Sequence, residues 1–234
     1  MAALSNVGLF DAGGVLVGSH AFGVLLNKLG VRAAPYATED VDIARRSTLG
    51  LPGLERHLID VLKDSGIEFV VPGLPATRPP TSYKEKGRSR FHVDLLVPSK
   101  NGSFPIVPVP ELDAHAQGLP YLDYLLGDTQ TAALIAREGV ASVRVPSAER
   151  FALHKLLVSQ LRASRDAKTG KDLFQAAVLL AVLADKHPGA VEDAADDLPR
   201  SSYRHLKRAR AALRTHLPEA YVRAWDTVNA LPGR

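Results

Sequence analysis

Thr38-Glu39-Asp40-Val41-Asp42-Ile43 sets two aspartates on either side of a valine. As a strand, its period of two puts Asp40 and Asp42 on one face with Thr38, while Val41 and Ile43 point to a core. Two carboxylates side by side repel each other, and folding alone supplies no reason to put them there. A divalent cation resolves the conflict, because Mg²⁺ takes oxygen ligands and commonly binds one or two carboxylates together with substrate phosphates. In isolation the same six residues also suit a solvated acidic loop.

Outward from this stretch, two neighbours carry related chemistry. Upstream, Val15-Leu16-Val17-Gly18-Ser19 followed by Ala21-Phe22 reads as a buried strand turning abruptly into a helix. A helix amino terminus presents free N–H groups and partial positive charge, and Gly18 lets an anion approach the backbone, although most such junctions are simply turns. Downstream, Arg90-Phe91-His92-Val93-Asp94-Leu95-Leu96-Val97 puts His92 and Asp94 on one strand face and Val93, Leu95 and Val97 on the other. Asp94 is then a charge within an apolar strand, costly unless it meets a cation or faces a cleft. Beside Asp40 and Asp42 it would complete a three-carboxylate cluster able to hold two Mg²⁺ ions for phosphoryl or nucleotidyl transfer.

The whole chain has 234 residues, 46% hydrophobic and 23% charged, with a net charge of +4. That suits one large domain or two small ones and excludes wholesale disorder. With no cysteine, thiolate catalysis, cysteine-rich zinc sites, iron–sulfur clusters and disulfides are excluded. Up to about Pro146, Gly and Pro punctuate short β-branched runs: Gly14–Val17, Ile67–Val71, Phe91–Val97 and Ile106–Val109 read as strands. Thr131–Arg137 and Val140–Val145 read as a hairpin around Glu138-Gly139, and helices are expected over Ala21–Leu29 and Leu54–Leu62. After Pro146 the pattern is helical: Ser147 to about Leu161, Lys171–Ala184, Ser201 to about His216, and a last helix beyond Pro218. The expectation is a mixed α/β domain over 1–146 and a helical domain over 147–234.

Gly18-Ser19, then Asp40-Val41-Asp42, then Asp94 on a later strand, together resemble the DNA polymerase β-like nucleotidyltransferase superfamily. Residues 9–22 with Thr38–Ala44 look closest to a group of largely uncharacterised bacterial nucleotidyltransferase-fold proteins, and Thr38 also suits the abortive-infection type IV toxin branch. The resemblance implies an α+β fold, a mixed sheet with flanking helices, followed by the helical domain. It implies that Gly18, Ser19 and Thr38 bind an NTP such as ATP. Asp40, Asp42 and Asp94 would be the catalytic and metal-binding residues for Mg²⁺, or alternatively Mn²⁺, with Asp94 also helping to deprotonate the acceptor hydroxyl. In the toxin branch a Glu-Lys pair supplies a phosphate-binding lysine and an Arg-x-Lys-Asp segment follows. Here Lys155 follows His154 instead, and Lys171-Asp172 lies further from Arg165. Lys155, Lys171 and Asp172 are the nucleotide-binding candidates of the second half. Asp172 could instead pair with Lys155 or favour its helix start.

The eight histidines show no zinc-protease spacing, and no P-loop, dinucleotide fingerprint or hydrolase elbow is present. Arg78–Arg90, with Lys84, Lys86 and Arg88, reads as a basic loop near the cleft. Arg200, Arg204 and Arg208, with Lys207, Arg210 and Arg214, make a basic helix on which Arg204, Lys207 and Arg208 are candidates for RNA contact. Phe22, Tyr36, Tyr121 and Tyr124 are candidates for stacking on a base. The longest apolar stretch, Ala176–Ala184, is far below the ~20 residues that cross a bilayer, so a cytoplasmic protein without membrane contact is expected. The leading expectation is Mg²⁺-dependent transfer of an NMP from an NTP to an acceptor hydroxyl, with release of pyrophosphate. The alternatives are a noncatalytic nucleotide- or protein-binding module, partnered by the product of a neighbouring gene, and a toxin-like RNA or tRNA nucleotidyltransferase.

Overall fold

A computed structural model describes residues 1–33, 38–50, 57–72, 79–100, 102–136, 139–162 and 167–233. The chain forms two compact units, Met1–Val24 with Ala34–Pro146, and Leu25–Ala33 with Ser147–Arg234. It is a mixed α/β protein whose carboxy-terminal part is helical.

The first unit begins with α1 (Ala2–Asn6), β1 (Gly14–Val17), the opening turns of α2 (Gly18–Leu29) and β2 (Asp40–Arg45). There follow α3 (Leu58–Lys63), β3 (Phe69–Val70), β4 (Ser82–Glu85), β5 (His92–Ser99), β6 (Ile106–Val109), β7 (Ala114–Pro120) and α4 (Leu122–Leu125). A separate hairpin of β8 (Thr129–Ala136) and β9 (Gly139–Pro146) completes it. The mixed sheet is organised around β5. β2 runs parallel to it over its first half and β4 pairs antiparallel with His92–Asp94, while β7 runs parallel to Leu96–Ser99. β1 joins β2, β3 joins β4 and β6 joins β7, all antiparallel.

The alternation of β2 and β5 explains their place at the centre. Val41, Ile43, Val93, Leu95 and Val97 are all buried, and the polar residues between them are half-exposed. The expected strands Gly14–Val17 and Ile106–Val109 coincide with β1 and β6, Phe91–Val97 shifts to His92–Ser99, and Ile67–Val71 shortens to Phe69–Val70. The basic stretch read as a loop contains β4, because Tyr83 is buried on the sheet while Ser82 and Lys84 face the other way; Arg78 lies outside the described residues. The helix expected from Leu54 is described from Leu58, Leu54 itself lying outside the described residues. Ala136 pairs with Gly139, so the glycine opens β9 with φ +146°; Arg137 and Glu138 lie outside the described residues.

The second unit consists of the end of α2 with α5 (Ala148–Ser159), α6 (Ala167–Lys186), α7 (Ala190–Asp196), α8 (Tyr203–Leu213) and α9 (Val222–Ala230). Phe151, Leu153, Leu156 and Leu157 of α5 and Leu179, Leu180 and Leu183 of α6 are core residues of this unit. Leu25–Ala33, counted with 1–146 in the sequence reading, group with this unit, where the Lys186 ammonium donates to the Leu29 carbonyl at 2.5 Å. Ser147 stands at the N-cap of α5, but its hydroxyl makes no capping bond. No helix among the described residues is long and apolar enough to cross a membrane.

His154 lies in the middle of α5, buried, with Nε2 lacking a hydrogen-bond partner among the described residues. Burial, and secondarily the Lys155 charge, push its pKa down to about 3 from the usual 6.5. The folded chain therefore keeps His154 neutral where the unfolded chain takes up a proton. Below pH 6.5 this side chain costs stability, with a slope approaching about 1.4 kcal/mol per pH unit until the folded pKa is reached. Urea unfolding followed by the single tryptophan, Trp225 on α9, should show the loss between pH 7 and pH 5. His154→Leu should flatten that acid limb, and an identical limb in the variant would contradict the assignment.

Candidate functional site

The register of β2, β5 and β4 sets the polar residues of one sheet face in two rows. Asp42 pairs with Asp94, and Asp94 with Ser82; Asp40 pairs with His92, and His92 with Lys84. Neighbouring strands lie ~4.8 Å apart and alternate residues ~7 Å apart along a strand, so the three aspartates occupy adjacent corners of this lattice. On the outer side of β2, Val17 is opposite Asp42, and the chain turns from Val17 directly into Gly18 and α2.

Each aspartate is held differently. The Thr38 hydroxyl donates to Asp40 Oδ1 at 2.5 Å. The Ser82 hydroxyl donates to Asp94 Oδ1, and His92 Nε2 lies 3.5 Å from Asp94 Oδ2, the His92 ring being fixed by Nδ1 at 2.7 Å from the Arg90 carbonyl. Asp42 rests against Gly18. A Cβ at Gly18 would fall 1.9 Å from Asp42 Oδ2, and the φ of +64° is one that side-chain-bearing residues rarely adopt. Ser19, the next residue, is buried at the start of α2.

The donor set is all oxygen, which suits a hard divalent cation such as Mg²⁺. Among the described residues no three carboxylate or imidazole side chains already converge as a metal-binding group.

A nucleotidyltransferase family model matches residues 1–199. The chain belongs to this nucleotidyltransferase family. Among solved structures it is similar to an antigenic nucleotidyltransferase-like protein from Paracoccidioides brasiliensis, at 14% identity and a TM-score of 0.46, covering 100% of this chain and 92% of that one. No curated protein matches the sequence. The chain is thus a transferase of the nucleotidyltransferase class.

In this nucleotidyltransferase, Gly18, Ser19, Thr38, Asp40, Asp42 and Asp94 gather in the first unit. Lys155, Lys171 and Asp172 belong to the second. The Lys155 ammonium is bound to Asp172 Oδ1 at 2.6 Å and lies 5.4 Å from the Phe151 ring centre; Arg162 Nε holds the other Asp172 oxygen at 2.9 Å. Of the alternatives open to Asp172, the structure has it paired with Lys155, so a phosphate role for Lys155 would compete with a buried carboxylate. Lys171 is half-buried on α6, and Arg165 lies outside the described residues. Arg200, Arg204, Lys207 and Arg208 are exposed. Arg210 does not join them: its guanidinium turns inward to the Val228, Leu231 and Pro232 carbonyls at the end of α9. Phe22 and Tyr124 are core residues and offer no ring for a base, while Tyr36 lies outside the described residues.

The sequence places Lys84 in the basic stretch near the cleft and His92 on one face with Asp94, but marks neither of them, nor Ser82, as a site residue. Their signal was the period of two in Ser82-Tyr83-Lys84 and His92-Val93-Asp94, which sets them on one face once the strands are paired.

Gly18→Ala tests the contact with Asp42. The added methyl must displace the carboxylate, so transfer should fall at least a hundredfold while stability falls by about 1–2 kcal/mol from the strained φ. Wild-type turnover in this variant would mean that the position of Asp42 is unimportant.

Proposed function

We propose that the carboxylate lattice transfers an NMP from an NTP to an acceptor hydroxyl, releasing pyrophosphate, with Mg²⁺ as the ion. The observation that supports this reading is the register itself, with Asp42 beside Asp94, Asp40 one row along, and Gly18 pressed against Asp42. Three carboxylates this close repel one another, and nothing in the packing of the sheet requires them.

Asp40, Asp42 and Asp94 would hold the ion, which supplies the positive charge that both the aspartates and a triphosphate lack. The amides at the start of α2, beside Gly18 and Ser19, bind and orient the triphosphate through the helix dipole and free N–H groups. Asp94 takes the proton of the acceptor hydroxyl as that oxygen attacks the α-phosphorus. The new O–P bond forms as the bond from the α-phosphorus to the bridging oxygen breaks, and the electron pair leaves with pyrophosphate. Ser82, which donates to Asp94 Oδ1, holds the carboxylate toward β4, on the side from which the acceptor approaches.

Asp42→Asn and Asp94→Asn keep size and hydrogen bonding but remove the charge. Each should lower label transfer from α-phosphate-labelled NTPs, supplied with RNA, protein and small-molecule acceptors, by about a thousandfold or more, equivalent to about 4 kcal/mol of barrier. Melting temperature should change by no more than a few degrees. Undiminished transfer in either variant sinks the mechanism.

A further inference from the structure

Beside the lattice, on the β4 side, a cavity of about 630 Å³ opens in the first unit, a volume suited to a small molecule or the end of a chain. Three members of the lattice contribute to its wall, Ser82, Lys84 and His92, and Ser82 and His92 are side chains that touch Asp94. Pro79 and Pro80 form rigid apolar wall, and Lys84 and Arg90 bring positive charge. Three other basic side chains of this unit are engaged, Lys63 with Asp60 at 3.0 Å, Lys86 with Glu68 at 2.6 Å and Arg46 with Asp123 at 2.8 Å, while Arg88 and Lys100, outside the cavity lining, have no carboxylate partner among the described residues. Among the described residues neither Lys84 nor Arg90 has a carboxylate partner, and Glu39 on the same lining lies outside ion-pair distance of both.

We infer that this cavity binds the acceptor, and that the acceptor is a phosphorylated sugar presenting a free hydroxyl. The inference rests on the nucleotidyl-transfer reading for the reaction but on the cavity for the ligand. Ser82 and Asp94 form one row and Lys84 and His92 the next, ~7 Å along the strands. A hydroxyl delivered to Asp94 therefore has a lysine one row along and one strand across, whose flexible side chain can reach a phosphate on the same pentose. The guanidinium of Arg90 adds a planar donor pair suited to phosphate oxygens. The same chemistry occurs in a free sugar phosphate and at the 3′ end of an RNA strand, where the terminal ribose carries its own 5′-phosphate.

Calorimetry on the full chain separates these cases, with Mg²⁺ and the α,β-methylene analogues of the four NTPs present. The probes are ribose 5-phosphate, a tetra-adenylate with a free 3′-hydroxyl, and ribose. At least one phosphorylated probe should bind ten times more tightly than ribose; ribose 5-phosphate alone identifies free sugar phosphates, and tetra-adenylate alone an RNA end. In Lys84→Ala/Arg90→Ala, whose side chains are exposed, that probe should weaken at least tenfold while the NTP analogue changes less than twofold. The inference is overturned if neither phosphorylated probe outbinds ribose, if the double variant binds the probe unchanged, or if it loses the NTP analogue instead, which would assign both cations to the triphosphate. Transfer that survives Asp42→Asn would overturn the nucleotidyl-transfer reading alone and leave phosphate binding at Lys84 and Arg90 standing.

Discussion

The parallel pairing of β2 with β5 is the constraint on which the first unit depends. Its backbone hydrogen bonds and the burial of Val41, Ile43, Val93 and Leu95 fix the register, and the register forces Asp42 alongside Asp94. A slip of one residue would turn every apolar side chain of a strand to the wrong face. Like charges ~5 Å apart cost on the order of a few kcal/mol at the effective dielectric of a protein surface. The hydrophobic face of the same two strands, at ~2 kcal/mol for each fully buried aliphatic side chain, outweighs that repulsion. The core therefore keeps Asp42 and Asp94 on neighbouring strands together without any ion.

How much of this could be read from the sequence differs between elements. Thr38 to Ile43 and His92 to Val97 carry clean alternation with β-branched or aliphatic core residues, so both strand faces were legible, as was the turn at Gly18. Which strand lies beside which is a matter of pairing across dozens of residues, and one chain carries no local signal for it. β4 escaped because it buries one large side chain, Tyr83, between polar neighbours in a Lys- and Arg-rich stretch. β7 escaped because its buried positions include Ala114, Ala116 and Gly118, too small to read as a strand core; a Cβ at Gly118 would meet Pro105 at 2.8 Å. Ser82 is invisible as a site residue for the same reason as the strand that carries it, and Lys84 shows only as part of a basic stretch.

In the second unit, the sequence suggested a lysine reaching from an apolar helix face toward phosphate. Burial gives that lysine a carboxylate partner. An ammonium this enclosed demands a counter-charge, and Asp172 supplies it while also accepting from Arg162. Two cations on one carboxylate leave the cluster with a positive surplus, the charge that burial and neighbouring Lys155 turn against protonation of His154. The basic helix α8 divides in a comparable way: Arg210 spends its donors on the last carbonyls of α9, so its charge serves the fold, while Arg204, Lys207 and Arg208 remain in solvent. Counting basic residues along a helix overstates what is free to meet an anion.

The charges of the first unit also have an order that their sum conceals. Across the sheet, from β1 to β4, come a helix amino terminus at Gly18, then Asp42, then Asp94, with Asp40 and the cationic Lys84 in the adjoining row. Negative charge is concentrated between two positive regions of different kind. Backbone N–H groups and a helix dipole are fixed in place and suit a ligand that must be held in one orientation. A lysine exposed on the face of β4 is a flexible point charge that tolerates ligands of differing shape. If a triphosphate occupies the first and an acceptor the second, the two reactants meet over the aspartates from opposite sides, the arrangement that in-line displacement at phosphorus requires. The close fit of Gly18 to Asp42 then has a consequence for the rigid side alone: no side chain can be added there without moving a carboxylate, whereas Lys84 and Arg90 can change with the acceptor while the centre stays as it is.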